Sequence, residues 1–114
     1  MLGLSANLNY YLFNGNVDLR KGIFRLCESI REEMSLDPSD ASNVYMFMSR
    51  NLKIVKILHY ERGFYVLYEK RPVMGRFKKP VFDEVSKCYR IQWSDMAYLT
   101  ESIVVDKMYV SPKD

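Results

Sequence analysis

The sequence predicts an α+β domain in which an antiparallel β-meander sheet is packed by an N-terminal amphipathic helix and a short C-terminal helix. Apolar residues recur at helical spacing between Leu19 and Met34. Three runs rich in β-branched and aromatic residues follow between 44 and 71, separated by short breaks. The length of 114 residues suits one hydrophobic core. We therefore expect a single domain over 1–114, with its core at about 8–103 and a C-terminal tail at 104–114.

The N-terminal third is predicted as a strand followed by the longer helix. Leu8 to Phe13 alternates so that its even and odd residues face opposite sides of a sheet. The turn-forming residues Asn14–Asn16 follow, and Asp18 is the predicted N-cap of a helix from about Leu19 to Met34. The buried stripe of this helix is expected to comprise Ile23, Leu26, Cys27, Ile30 and Met34.

The middle of the chain is predicted as the β-meander. Ser35–Asn43 is a loop built from turn-forming residues. Strands are expected at Val44–Arg50, Lys53–Tyr60 and Phe64–Arg71, and their short connections favour antiparallel neighbours. The break at Glu61–Gly63 fits a three-residue loop, with a type I turn and a glycine bulge.

The C-terminal third is predicted as short extended segments and a second helix. Gly75–Val81 is expected to form either a short strand or an extended arm, and Tyr89–Trp93 a last strand. Ser94 is the predicted N-cap of a helix over Asp95–Ile103. The apolar stripe of this helix is expected to be Met96, Leu99 and Ile103.

Charge is distributed unevenly along the chain. Residues 50–90 carry eleven Lys and Arg and four Asp and Glu, a net charge of +7. Because the whole chain carries +3, the remainder carries −4. Aromatic residues such as Tyr60, Tyr65 and Phe77 are interleaved with these cations, a pattern that can bind phosphates and stack on exposed bases. A solvated sheet face and an acidic protein partner are the alternatives, since Lys on strand edges also protects against aggregation.

Residue types that usually carry catalysis or bind metals are sparse. His59 is the only histidine and lies in an alternating strand, where a structural role is expected. Cys27 and Cys88 are isolated from one another, so we expect two reduced thiols. Neither a GxxxxGKS/T nor a GxGxxG phosphate-binding motif is present. We expect no enzyme activity, no metal and no cofactor; a metal-dependent nuclease would need acids that cluster in space.

The chain carries no signal for membrane insertion. No apolar run approaches the roughly 20 residues that a bilayer requires. The N-terminal residues Met1–Asn9 lack the basic region of a signal peptide. We therefore expect a soluble cytoplasmic protein without membrane association.

Six short motifs occur in a fixed order along the chain. They are GNVDLRKG, DP, FMSR, KILHYERGF, KR and GRFKKP, which begin at Gly15, Asp37, Phe47, Lys56, Lys70 and Gly75. In this order and spacing, over about 8–103, the chain resembles the small accessory proteins of insertion-sequence-66-type mobile elements. These products of the second open reading frame of the element are often called TnpB and are unrelated to the RNA-guided nuclease of that name.

The resemblance implies a bacterial protein that is encoded beside a separate transposase and needed for transposition. In that family the cutting and joining of DNA belong to the transposase, so the accessory protein is expected to be non-enzymatic. With the basic segment, this predicts a protein that assists DNA transposition by binding DNA through a basic β-hairpin. The alternative is a protein-interaction module that docks on the transposase, or on itself, without DNA contact. The predicted nucleic-acid contacts are Arg20, Lys21, Arg50, Lys56, Lys70, Arg71, Arg76, Lys78 and Lys79.

Two of these cations are expected at the N-terminus of the first helix. A phosphate bound near Arg20 and Lys21 would also meet the free backbone amides of the first turn. In the alternative, Asp18 already neutralises one of the two cations. Both interpretations stay open on the sequence.

Overall fold

The computed structural model describes residues 4–15, 17–20, 22–82 and 85–105. In these ranges the elements follow one another as β1 (Asn9–Phe13), α1 (Ile23–Glu32), β2 (Asn43–Met48), β3 (Val55–Glu61), β4 (Phe64–Lys70), β5 (Arg76–Phe77), β6 (Cys88–Ile91), α2 (Trp93–Glu101) and β7 (Ile103–Val104). Five strands form one sheet in the spatial order β4–β3–β2–β1–β6, and β5 pairs with β7. The predicted α+β class is confirmed.

The main sheet is mixed. β2, β3 and β4 form the predicted antiparallel meander, with Met46 opposite Ile57 and Ile57 opposite Tyr68. β1, however, pairs parallel with β2, because the helical connection through α1 returns the chain before β2 begins. β6 adds antiparallel to the other side of β1. The meander prediction thus holds from β2 to β4 and misses the parallel pair.

Helix α1 packs on one face of the sheet through much of the predicted stripe. Leu26, Cys27 and Ile30 are buried, and they belong to one cluster with the sheet residues Phe13, Tyr45, Phe47 and Leu58. The helix is shorter than predicted, since its N-cap is Gly22. Asp18 is not the cap, because its carboxylate accepts the backbone N–H of Arg20 at 3.0 Å and so forms a local turn before the helix.

The opposite face is covered by α2 and by the β5–β7 pair. Met96 and Leu99 of α2 and Phe77 of β5 are buried in a cluster with the sheet residues Tyr10, Leu12, Val44, Met46, Val55 and Ile57. α2 begins two residues before the predicted start. Its N-cap is Gln92 rather than Ser94, because Asp95 accepts the N–H of Gln92 at 3.0 Å in a capping box.

Two glycines with positive φ shape the connections. The β3–β4 hairpin turns through Arg62 (φ 49°) and Gly63 (φ 86°), while Glu61 opposes Phe64. This is a two-residue type I′ turn, whose twist matches that of the flanking strands, in place of the predicted three-residue loop. Gly75 (φ 76°) passes so close to β7 that a Cβ atom would lie 2.4 Å from the Val104 carbonyl oxygen.

The extended segment predicted after Gly75 is therefore resolved as the strand β5 and its continuation. Val104, predicted as the start of the tail, pairs with Arg76 in the β5–β7 ribbon. The rest of the predicted tail, 106–114, lies outside the described residues.

Candidate nucleic-acid interface

The cations of the predicted basic hairpin point to opposite faces of the sheet. Lys56 opposes Glu69 on the α1 face, whereas Lys70 lies on the α2 face, because alternate strand residues face opposite sides. Lys70 Nζ lies 2.7 Å from Glu101 Oε1. Arg71 Nε lies 2.8 Å from Glu69 Oε2. The hairpin therefore does not gather its cations on one surface, and each of these side chains has a carboxylate neighbour.

Lys56 is part of the protein interior. Its side chain is only 9% exposed, and Nζ donates a hydrogen bond to the backbone carbonyl of Leu19. The same ammonium lies 3.4 Å from Glu69 Oε1. Hydrogen bonding to Arg71, with a smaller contribution from Lys56, lowers the pKa of Glu69. Lys56 thus ties β3 to the chain that leads into α1.

A basic groove lies where the parallel strands β1 and β2 end. Its volume is about 950 Å³, and its walls come from the β1–α1 connection, the β2–β3 loop and the segment after β5. The carboxyl ends of parallel strands share an edge, and in α/β sheets this edge is a common place for ligand binding. The parallel pairing of β1 with β2 therefore creates the groove by bringing two distant loops together.

Four cations line the basic groove: Arg20, Arg25, Arg50 and Lys79. Among the described residues that line it, Asp18 is the one acid. Both Asp18 oxygens accept from the Arg20 guanidinium at 3.0 Å, and this hydrogen bonding raises the pKa of Arg20. Arg25 pairs with Glu28 at 2.7 Å.

The other two cations of the groove are less engaged. Arg50 and Lys79 are exposed, and neither forms an ion pair with a residue in the described ranges. Their charges face solvent beside the charges of Arg20 and Arg25. The described lining therefore carries an excess of positive charge that an anion can meet.

The loop that carries Arg50 is held by hydrogen bonds. Ser49 Oγ accepts the backbone N–H groups of Lys53 at 3.1 Å and Ile54 at 3.0 Å. The backbone carbonyl of Leu52, a residue with a positive φ of 61°, accepts the N–H of Phe77 in β5 at 2.8 Å. Arg50 is thus displayed on a preorganised backbone.

Aromatic side chains accompany the cations. Phe82 lines the groove and stacks on Tyr89, with ring centroids 3.7 Å apart and planes 4° apart. Phe24, which precedes Arg25 on α1, is 81% exposed. Aromatic faces beside cations are the combination that binds nucleic acids with accessible bases.

The nine predicted contact residues are distributed over several places. Lys78 lies by α2, where its Nζ is 3.1 Å from the Tyr98 hydroxyl and lowers the pKa of that group. Arg76 is partly buried in β5, and Lys21 lies outside the described residues. The predicted residues that do line the basic groove are Arg20, Arg50 and Lys79.

Sequence reasoning missed two lining residues. Arg25 lies off the apolar stripe of α1, a position that in a sequence is typical of a solvated residue. Phe82 falls in the chain between β5 and β6, outside every predicted element. A sequence signal next to Arg25 is Phe24, an aromatic residue that lies off the apolar stripe of α1 and is exposed in the structure.

Other classes of site are not apparent in the described part of the chain. There, no three His, Cys, Asp or Glu side chains are grouped as a metal would require. His59 is buried, with Nδ1 3.1 Å from the Asn43 carbonyl oxygen. Cys27 and Cys88 are free thiols whose pKa is raised by burial. None of the described helices has the length and apolar character to cross a membrane.

Comparison with known proteins gives one family. The model of the IS66 Orf2-like proteins matches residues 8–109. An uncharacterized protein, y4hO, of Sinorhizobium fredii (strain NBRC 101917 / NGR234) is 29% identical over 80 residues, which are 70% of this chain and 69% of that protein. No solved structure matches the chain.

Proposed function

The chain belongs to the family of IS66 Orf2-like proteins, accessory proteins of insertion sequences, and from this premise we propose that it assists transposition by holding DNA in the basic groove. The observation that carries the proposal is the convergence of Arg20, Arg50 and Lys79 with Arg25 around one groove. Cations in this arrangement neutralise phosphates and release counterions from the DNA. The protein would act in the bacterial cytoplasm, together with the DNA.

The groove cations have different roles in this proposal. Arg20 is oriented by its two hydrogen bonds to Asp18, so it can present a fixed guanidinium edge to a phosphate. Arg50 and Lys79 have no ion-pair partner among the described residues, so within that part of the chain no carboxylate pairs with these two side chains in competition with a phosphate. Phe82 lines the groove and Phe24 is an exposed ring on α1, so both are aromatic side chains that can contact bases leaving the duplex stack.

The predicted hairpin cations contribute less to this interface. We leave Lys56 out, since its ammonium is buried against the carbonyl of Leu19. Lys70 and Arg71 are exposed and form surface ion pairs, which are typically worth about 0–1 kcal/mol and can be exchanged for phosphate contacts. They, together with Lys78, can extend the contact when DNA reaches beyond the groove.

Fluorescence anisotropy with labelled DNA from the end of the element tests the proposal. A duplex and a single strand of about 30 nucleotides are titrated at NaCl concentrations between about 50 and 300 mM. Four phosphate contacts predict a slope of about −3.6 for log K against log salt on duplex DNA. Absence of binding at the lowest salt, or binding that does not depend on salt, would contradict the proposal.

The proposed role is non-enzymatic. Because the described residues hold no cluster of metal-ligating side chains, we expect the labelled DNA to stay intact with Mg²⁺ or Mn²⁺. The same samples, run on a denaturing gel after incubation, check this. Cleavage that persists in an independently purified preparation would show that the protein is a nuclease.

A second candidate function is docking on the transposase of the same element. Val73 and Met74 are exposed apolar residues on the connection between β4 and β5, a place where a protein partner can bury them. Co-expression with the transposase and purification in the presence of nuclease separates the two functions. If the transposase co-purifies with the unchanged protein but not with Val73→Ser/Met74→Ser, docking is favoured. If the transposase no longer co-purifies once nuclease is added, the two proteins are in contact through DNA.

A further inference from the structure

The outer edge of β4 can pair with another strand. Within the described residues, its strand neighbour in the sheet is β3 alone. The two-residue turn makes Glu61 and Phe64 a hydrogen-bonded pair, and bonded and non-bonded pairs alternate along antiparallel strands. Every second residue of β4, starting at Tyr65, therefore directs its backbone N–H and C=O away from β3. These residues are Tyr65, Leu67 and Glu69.

A cavity lies beside this edge, between the β3–β4 hairpin and α2. Its volume is about 320 Å³. An exposed ion pair between Lys70 and Glu101, with 2.7 Å between the charged atoms, lies at its rim. Surface pairs of this kind open easily. The cavity lining is largely apolar and includes Val55, Ile57, Tyr68, Trp93 and Ala97.

An exposed aromatic side chain lies at the other end of the same strand. Phe64 is 72% exposed and directly follows the hairpin turn. It lies on the same face of the sheet as Tyr68 and Lys70, because strand residues that differ by an even number share a face. The strand therefore carries a protruding ring at one end and a cavity at the other.

We propose that β4 pairs antiparallel with β4 of a second copy, about a two-fold axis at Leu67. This register pairs all seven residues of the strand and matches the outward-facing backbone groups with each other. It places Phe64 opposite Lys70 of the second copy, at the mouth of the cavity. Each ring then enters the cavity of the other copy, and the two sheets become one.

The side chains across the proposed pairing are compatible. Val66 faces Tyr68 of the second copy, Leu67 faces its own counterpart, and Tyr65 faces Glu69. No like charges oppose each other, which would destabilise an antiparallel pair. The basic groove stays open in the dimer, because β1 and β2 are separated from this edge by β3. The inference goes beyond the proposed function and does not depend on DNA.

Sedimentation equilibrium of the purified full chain, without DNA and at concentrations up to about 1 mM, tests the dimer. We expect the mass to rise with concentration to twice the 13.5 kDa of one chain. Phe64→Lys places like charges opposite Lys70 and should raise the dissociation constant at least about tenfold. Phe24→Lys is the matched control, since it makes the same change at an exposed ring on α1.

Two further variants test the register and the cavity. Adding Lys70→Gln to Phe64→Lys removes the like charge across the pair without placing a second carboxylate beside Glu101, so the double variant should regain affinity over Phe64→Lys. Ala97→Leu fills the cavity and should weaken the dimer, whereas Ala41→Leu on an exposed loop should not. Thermal unfolding confirms that each variant is folded. A chain that stays at 13.5 kDa throughout, or a dimer that Phe64→Lys leaves unchanged, overturns the inference.

Discussion

Individual charged residues in this protein have roles that their sequence neighbours do not reveal. Lys56 lies in β3 and Lys70 in the neighbouring strand β4, yet one ammonium is buried against the Leu19 carbonyl and the other is exposed beside α2. Glu69 links two of the cations, since Arg71 and Lys56 both approach its carboxylate. The face of the strand that a lysine occupies thus decides whether its ammonium is buried in the fold or stays exposed.

Replacing Lys56 tests whether its buried ammonium stabilises the fold. Lys56→Met keeps the aliphatic stem but leaves the Leu19 carbonyl without its donor. An unsatisfied buried acceptor destabilises a fold by about 1–3 kcal/mol, so urea unfolding should show a loss of that size. Lys53→Met, at an exposed position in the preceding loop, is the control and should change stability little. A loss of DNA affinity without loss of stability in Lys56→Met would contradict the structural role.

Stability should also fall in acid because of Glu69. Its pKa is lowered in the folded state, chiefly by hydrogen bonding to Arg71, so the unfolded chain binds the proton more tightly. The stabilisation that Glu69 contributes is fully present at pH values above the ordinary glutamate pKa of about 4.3. It is lost as the pH falls through the pKa of Glu69 in the folded state. Asp37 and Asp40 act in the same direction, because hydrogen bonds from Ser39 and Ser42 lower their pKa values.

Urea unfolding between about pH 6 and pH 3 checks this prediction. The stability of Glu69→Gln should depend less steeply on pH than that of the unchanged protein, with a residual slope from the two aspartates. If the free energy of unfolding depends equally on pH in both proteins, Glu69 does not contribute to the pH dependence of stability.

At the scale of elements, local contacts could be predicted from sequence and distant pairings could not. The meander from β2 to β4 was predictable because its turns are short and its strands pair with their neighbours. The parallel pairing of β1 with β2 depends on residues more than 30 positions apart, such as Tyr10 and Val44. The β5–β7 pair involves two residues on each side, too few to produce a recognisable pattern.

The β5–β7 pairing can be tested at Gly75. Gly75→Ala combines a positive φ with a Cβ only 2.4 Å from the Val104 carbonyl oxygen, so we expect a stability loss of more than about 3 kcal/mol. Gly63→Ala is the matched control, since it has the positive φ but no heavy atom within 4 Å. Its expected loss is about 1–2 kcal/mol, from the backbone conformation alone. Equal losses in thermal or urea unfolding would exclude the close approach to β7.

At the scale of the whole molecule, the topology redistributes the charge of the sequence. The segment 50–90 has a net charge of +7, but its strands place cations on both faces of the sheet. The basic groove instead combines Arg20 and Arg25 from the N-terminal third with Arg50 and Lys79 from that segment. The excess of cations could be predicted from the sequence, whereas their meeting place required the parallel pairing of β1 with β2.

The central claim is that this groove holds DNA, and a comparison of two charge-matched double variants tests it most directly. Arg50→Gln/Lys79→Gln removes two groove cations, and Arg31→Gln/Arg62→Gln removes two exposed cations elsewhere. Measured by anisotropy at low salt, the groove variant should bind duplex DNA at least about tenfold more weakly than the unchanged protein. Its slope of log K against log salt should be smaller in magnitude by about 1.8. The control variant should lose much less affinity. Equal losses in the two variants would show a nonspecific effect of net charge and contradict the groove as the binding site.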